Sequence, residues 1–471
     1  MELEEELAEG QDEDSAGRYA TLQYPLLSGS RGARPWQALV NVCANLLGVS
    51  TLALPWAMAQ SGFVPFVLVL CIVMLACRST WKMLLELSAF DGSVICRASY
   101  PELGRRVYGP EGHVAVLLAI LLYSTGLMAC QISALADILD LLMEDWRVLP
   151  LSRPRLAPVI VGAAACFPGV LLAAPRSMAL AVGALLVASV LLTCLLLMAA
   201  SETFPGAAEE PGASEDLDLG WRSAGGILDC AAVLVAQLAA HASFEETASM
   251  DAADAEEDFQ RGPAADTVTA FAVAAPISLA MAFAGYLRFG RLVQGDVLQS
   301  WHGATGPGAI VLRAARSAYA VVLVGGVALA SKPCLATVTE LAGNRRSIQG
   351  AGLRTTPQHR GAVVLSFCAL CAWLEEDLGH LLRLLGALGA SPLVLLLPPL
   401  FHIEMARRQF GRDIFSLENL RAMFIMILGV AITGGSLLGV ITSSMSPPAG
   451  HRGDRAVVSS LANITTHRWQ R

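Results

Sequence analysis

The chain has 471 residues, 55% of them hydrophobic and only 15% charged, with a formal net charge of −8 and a mean hydropathy of +0.56. No soluble globular domain of this length has that balance, and nucleic acid is excluded as a partner; apolar runs recur along the whole chain, so it reads as a polytopic membrane protein set in a lipid bilayer. The acidic surplus comes largely from tail and loop segments.

Residues 1–34 read as a disordered, acidic, cytosolic tail. Glu2, Glu4, Glu5, Glu6 and Glu9 give the wrong sign for a cleavable signal peptide. Tyr19-Ala-Thr-Leu22 and Tyr24-Pro-Leu-Leu27 each place a bulky apolar residue three positions after a tyrosine. Adaptor proteins read such tetrapeptides as extended peptides with two filled pockets. The pair suggests endosomal or lysosomal routing, although so short a pattern is common by chance.

The first apolar run, near 35–58, contains Asn45-Leu-Leu-Gly48-Val49-Ser50-Thr51-Leu-Ala-Leu54-Pro55-Trp56-Ala57. Unpaired backbone groups in hydrocarbon cost several kcal/mol each, so broken helix survives only where protein buries it or a cavity faces it. A helix broken near the membrane midplane is the usual cradle for a small zwitterion in a secondary transporter. Gly48 to Thr51 would aim backbone N–H groups at a carboxylate, helped by the positive end of the following half-helix. The alternative is a small-residue stretch that lets two helices approach closely.

About ten further spans of roughly 20 residues follow, near 63–87, 113–140, 156–174, 177–200, 223–245, 264–290, 313–339, 361–374, 379–403 and 420–443. Arg78, Lys82, Arg97, Arg105 and Arg106 follow span 2; Arg345, Arg346, Arg354 and Arg360 follow span 8; Arg407, Arg408 and Arg412 follow span 10. With eleven spans these share one side, which the positive-inside rule makes cytosolic. The N-terminus is then cytosolic and the tail 444–471 luminal or extracellular. The glycosylation sequon Asn463-Ile-Thr465 falls in that tail, in agreement. Arg147, Arg153 and Arg155 are the contrary signal. The acidic stretches 202–218 and 251–258 read as solvated surface, without EF-hand spacing. Cys368 and Cys371 have CxxC spacing inside a predicted helix, where a cysteine is usually a small apolar core residue.

Five spans on from the first, span 6 reads Leu234-Val-Ala-Gln237-Leu-Ala-Ala-His241-Ala-Ser243-Phe244-Glu245-Glu246. Its apolar run gives way to small and polar residues at its middle. Paired broken helices in matching halves mark an inverted-repeat transporter. The other reading is that span 6 ends near Ala240. His241, with an ordinary pKa of about 6.5, would relay a proton or else bond a carbonyl of the break. Glu245 and Glu246 are a gate or a helix end meeting water. In span 8, Ser331 and Lys332 stand out because an ionisable group in a membrane segment is a functional candidate; the alternative is a lysine snorkelling to the cytosolic edge.

Gly48-Val-Ser50-Thr51-Leu-Ala-Leu54-Pro55-Trp56-Ala57 through Gly62, the loop Tyr100-Pro-Glu-Leu-Gly104 to Tyr108-Gly109-Pro-Glu-Gly112, Gly285-Tyr286-Leu-Arg-Phe289-Gly290, and Gly386-Ala387 with Leu397-Pro398-Pro-Leu-Phe401 together resemble the amino acid/auxin permease superfamily. That superfamily includes vesicular inhibitory, proton-assisted and sodium-coupled neutral amino acid transporters. The resemblance runs in order over most of the chain. It departs at Ala44, where the family usually has Asn (Asn41 and Asn45 stand nearby), at Ser50 in place of a second Gly, and at Glu245-Glu246 where a Pro often stands. Those departures fall on the positions that bear on the coupling ion and the substrate. In transporters of this architecture the eighth helix helps to form a sodium site with the first. The resemblance therefore makes Asn45, Ser331, Lys332 and His241 the candidate ion-coupling residues; a lysine there would replace sodium and imply proton coupling or none.

The expectation is an all-α polytopic membrane protein with about eleven transmembrane helices: a 5+5 inverted-repeat, LeuT-like core within 35–443 and one extra helix. It would carry small amino acids or related zwitterions by symport or antiport, with protons favoured over sodium, in an endosomal, lysosomal or vesicular membrane. Gly48, Val49, Ser50, Thr51, His241 and Ser243 would hold the substrate. No catalytic motif, metal site or cofactor is expected. The rival reading is a non-transporting amino acid sensor on the same scaffold, with the acidic tail as a partner surface.

Overall fold

The computed structural model describes residues 43, 46–89, 99–145, 155–171, 176–203, 220–243, 264–301, 307–346, 356–410 and 417–445. Asn45, the tail with Tyr19, Leu22, Tyr24 and Leu27, the acidic stretches 204–218 and 251–258, Glu245, Glu246 and Asn463 lie outside them.

Among the described residues the chain is all-helical, in eleven helices. A 3-10 turn, Val49–Ala53, leads into α1, Leu54–Ser61. Then come α2 (Phe63–Ala89), α3 (Tyr100–Asp145), α4 (Leu156–Leu171) and α5 (Arg176–Thr203). Next, α6 (Ala224–Gln237) is followed by a 3-10 turn, Ala240–Ser243. The rest are α7 (Ala264–Phe289), α8 (Pro307–Arg346), α9 (Pro357–Leu374), α10 (Leu378–Phe410) and α11 (Leu417–Met445). Eight of them are long and apolar enough to cross a bilayer by length and composition. The exceptions are α1, α4 and α9. Outward-facing side chains such as Leu68, Leu122, Leu195, Phe367 and Phe424 are exposed, as a lipid-facing surface requires.

The packing repeats when the first five helices are exchanged for the second five. Helix α1 packs on α7 as α6 packs on α2; α3 packs on α9 as α8 packs on α4; α8 packs on α5 as α3 packs on α10. The pairs α1–α6 and α3–α8 map onto themselves. This is a five-plus-five inverted repeat, with α11 outside it against α6 and α10.

Several boundaries differ from the sequence reading. Helix α3 begins at Tyr100, not 113, because a short amphipathic stretch joins it across a kink at Gly109 (φ 67°, ψ −152°) followed by Pro110. Gly109 takes a left-handed conformation that side-chain-bearing residues avoid. That kink folds Gly104 back onto the Gly112 backbone, which is the local reason for the paired glycine motif. Helix α9 begins at Pro357, capped by the Thr356 hydroxyl. Its first turn holds Gln358, His359 and Arg360 and hides it from a hydropathy reading. Helix α10 carries two π stretches, Leu385–Ala390 and Pro392–Leu396, which widen the coil where Gly386 meets the Ala232 carbonyl of α6.

Two faces of the bundle are distinct. On one, Arg360 of α9 bonds Thr339 of α8 at 2.9 Å, and His113 of α3 meets Glu340 at 2.8 Å. This arginine-rich face also holds Arg407 and Arg408 on Glu404. The opposite face gathers the end of α1, the starts of α4 and α6, and the α7–α8 and α9–α10 connections.

Candidate functional site

Gly48, with φ 4° and ψ −163°, breaks the first helix. After it the chain tightens into a 3-10 turn, closed by Thr51 N–H donating to the Gly48 carbonyl at 3.4 Å and the Thr51 hydroxyl donating to the same oxygen at 2.9 Å. The α-helix resumes at Leu54, with Pro55 in its first turn, where a missing N–H costs nothing. The break is thus a compact turn. Ser50 and Thr51 are 2% and 0% exposed, so a helix onset lies in the core, and its first N–H groups have no intrahelical partner to turn to.

Helix α6 breaks at the equivalent place. Leu238 N–H still reaches Leu234 at 2.9 Å, and the chain then passes through Ala239 into the turn Ala240–Ser243. His241 is fully buried but turns toward α2. Its Nε2 lies 3.0 Å from the Thr80 hydroxyl and its ring sits edge-on to Trp81, centroids 5.3 Å apart. The Thr80 hydroxyl donates to the Cys77 carbonyl at 3.0 Å, so its oxygen accepts from Nε2–H. That leaves the lone pair of a neutral ring on Nδ1, the atom without a hydrogen-bond partner. Ser243 closes the turn. Gln237, the last residue of α6, donates to Ser278 of α7. The turn after Gly48 packs directly on α6, the helix that ends at the second break.

Two hydroxyls that the sequence reading passed over stand at the first break. Tyr319 of α8 is fully buried, and its phenol faces Thr51 and Thr193 of α5. Thr193 donates to Ser189 O at 2.8 Å. Three elements thus bring hard oxygen atoms together, the donor type suited to a small monovalent or divalent cation. Among the described residues no three His, Cys, Asp or Glu side chains group as metal ligands.

Ser331 and Lys332 lie elsewhere. Lys332 is 13 residues along α8 from Tyr319, about 20 Å at the helical rise. Ala328 packs on Gly169 near the end of α4, and Gly325 on Val182 near the start of α5. Lys332 follows one turn later, half-buried at the arginine-rich end. Ser331 spends its hydroxyl on Ala328 O at 2.8 Å. Cys368 contacts the Thr125 carbonyl of α3 at 3.4 Å, a packing contact between helices.

The opposite face is closed. Trp56 packs on Gly379 and edge-on against His380, centroids 6.1 Å apart. Val297 and Leu298 of the α7–α8 connection are buried in a turn that packs on the turn after Gly48 and on α3, and Trp301 is buried edge-on to Phe289. Arg383 of α10 pairs with Asp229 of α6 at 3.1 Å. Arg155 donates to Ser133, to Asp137 and to the Glu376 carbonyl. It therefore belongs to this buried seam and not to the loop charge that opposed the topology. Beside it His380 holds the Glu375 carboxyl below the usual range.

Two broken helices at the centre of an inverted repeat, closed over by connections on one face, define a membrane carrier. The model for transmembrane amino acid transporter protein matches residues 31–442, and the chain belongs to that family. Its fold is also similar to a crystal structure of the Eremococcus coleocola manganese transporter in complex with an aromatic bis-isothiourea substituted compound. That match has 15% identity and a TM-score of 0.49, covering 91% of this chain and 90% of that one.

Proposed function

We propose that the protein moves small amino acids or related zwitterions by alternating access, with the substrate held between the turn after Gly48 and the turn at Ala240–Ser243. The observation that carries this reading is the packing of the turn after Gly48 on α6, the helix that ends at the second break, with Ser50 and Thr51 buried in that turn. The N–H groups at the onset of α1 suit a carboxylate, and Ser50 and Thr51 add hydroxyls beside Gly48 and Val49. His241 supports proton coupling, since its unpartnered Nδ1 is a free proton acceptor at the second break. One observation favours sodium instead: the hydroxyls of Thr51, Thr193 and Tyr319 face one another. Lys332 fits an interfacial role better than a coupling one, given its distance from both breaks. The arginine-rich face fits the cytosol, and an endosomal, lysosomal or vesicular membrane fits the tail motifs. A sensor that binds without turnover is the competing reading.

The test is uptake of labelled amino acids by proteoliposomes under a proton gradient and, separately, a sodium gradient. Proton-driven uptake that becomes independent of pH in His241→Gln supports the proposal. Sodium-driven uptake lost in Tyr319→Phe moves the coupling to the hydroxyl cluster. Saturable binding with no uptake under either gradient favours the sensor.

A further inference from the structure

The connection between α7 and α8 lies in the closed seam. Arg316 of α8 holds it by donating to the carbonyls of Leu298 and Trp301 at 3.0 and 2.9 Å. Asp296, 2% exposed, caps its 3-10 turn Val297–Ser300: Oδ1 accepts from Leu298 N–H at 2.8 Å. Its other oxygen, Oδ2, is buried without a hydrogen-bond partner. The charged and titratable groups that face it are Arg316 of α8, Arg155 at the head of α4, Asp137 of α3 and the Tyr319 phenol. Gly295 next to it packs on Asp377 of the α9–α10 connection, whose Oδ1 accepts from Gly379 N–H at 2.7 Å.

We propose that Asp296 is a proton latch for this face: it binds one proton when the α7–α8 connection closes over the first-helix turn and returns it to the same side when the connection lifts. The inference rests on the carrier reading only in taking closure of this face as a step of the cycle. A buried carboxyl with one oxygen unpartnered favours its neutral form. Burial outweighs the Leu298 N–H bond and the two guanidinium charges, and the Asp296 carboxyl is pushed up to about 7. Once the connection lifts, the carboxyl meets water and returns to about 4. The sign follows. Protonation favours the closed state, so its advantage is full below about pH 4 and is lost as pH rises through about 7. An acidic compartment on this side thus holds the face shut. The O–H bond forms and breaks toward the same solution, so this proton is not the one that would drive transport.

Hydrogen exchange over residues 293–301 of the purified full chain, corrected for intrinsic rates, tests the latch without any transport assay. The wild type is expected to be about 20-fold better protected at pH 5.5 than at pH 7.5, its protection falling about tenfold per pH unit up to about pH 7 and levelling above it. Asp296→Asn should be protected equally at both. No pH dependence in the wild type, protection that has already levelled off by about pH 5, or a dependence that persists in Asp296→Asn overturns the proposal. If Asp296→Asn does not elute as a single species, the pH at which wild-type protection levels off decides alone. A protein with the expected exchange but no amino acid flux keeps the latch and loses the carrier reading; flux with no pH-dependent protection does the reverse.

Discussion

Thr51 is the residue on which the account leans most. Its hydroxyl spends one hydrogen bond on the Gly48 carbonyl and faces Tyr319. Thr51→Val keeps the shape and removes that bond, which costs about 1 kcal/mol of stability. Flux should fall much further, by about tenfold or more, if the hydroxyl serves substrate or ion. Thermal melting and uptake of the same preparation separate the two effects. At His241, Gln keeps a donor for Thr80 but cannot titrate. His241→Gln is expected to fold and to transport with a flat pH profile between pH 5 and 7.5; an unchanged profile would remove His241 from coupling. The sequence made Gly48–Thr51 and His241 visible because polar and small residues interrupt apolar runs there. It hid Tyr319, Thr193 and Asp296. A tyrosine and a threonine in an apolar helix look like ordinary core, and a loop aspartate looks solvated until a connection folds inward over it. Lys332 was conspicuous as an ionisable group in an apolar run, yet its height along α8 emerges only from what Ala328 and Gly325 touch.

At the level of elements, the spans were legible wherever twenty apolar residues ran together, and the two breaks wherever that run failed at matching positions. Helix α9 was cut short because its first turn is polar. The head of α3 was missed because a nine-residue amphipathic stretch bends at Gly109 instead of ending. That bend gives a prediction of its own. Gly109→Ala meets no atom within 4 Å, so the cost is backbone strain alone, about 1–3 kcal/mol. Gly386→Ala would drive a methyl into the Ala232 backbone. It is expected to separate α6 from α10 and lower the melting temperature far more than Gly109→Ala does. Equal shifts in the two variants would contradict the close approach of those helices.

For the whole molecule, the seam of the closed face joins the two halves of the repeat. Arg383 and Asp229 tie α10 to α6, and both are largely buried. Removing one partner strands the other charge, so Arg383→Gln should cost about 3 kcal/mol, and adding Asp229→Asn should recover much of it. Melting of the single and double variants checks this. The repeat itself could be anticipated by counting five spans between the breaks. The seam could not, because Arg155, Asp137, Asp229, Asp296 and Arg383 come from separate parts of the chain and meet only through the packing of α3, α4, α6, α8 and α10. On the proposed carrier reading, the paired breaks form a site that opens to each side in turn. Counterflow tests it most directly: proteoliposomes loaded with unlabelled small amino acids and diluted into trace labelled ones, with no ion gradient imposed. The account predicts a transient accumulation of label above equilibrium, and little of it in Thr51→Val. Saturable binding of the labelled amino acid without any such overshoot would contradict it and make the protein a sensor.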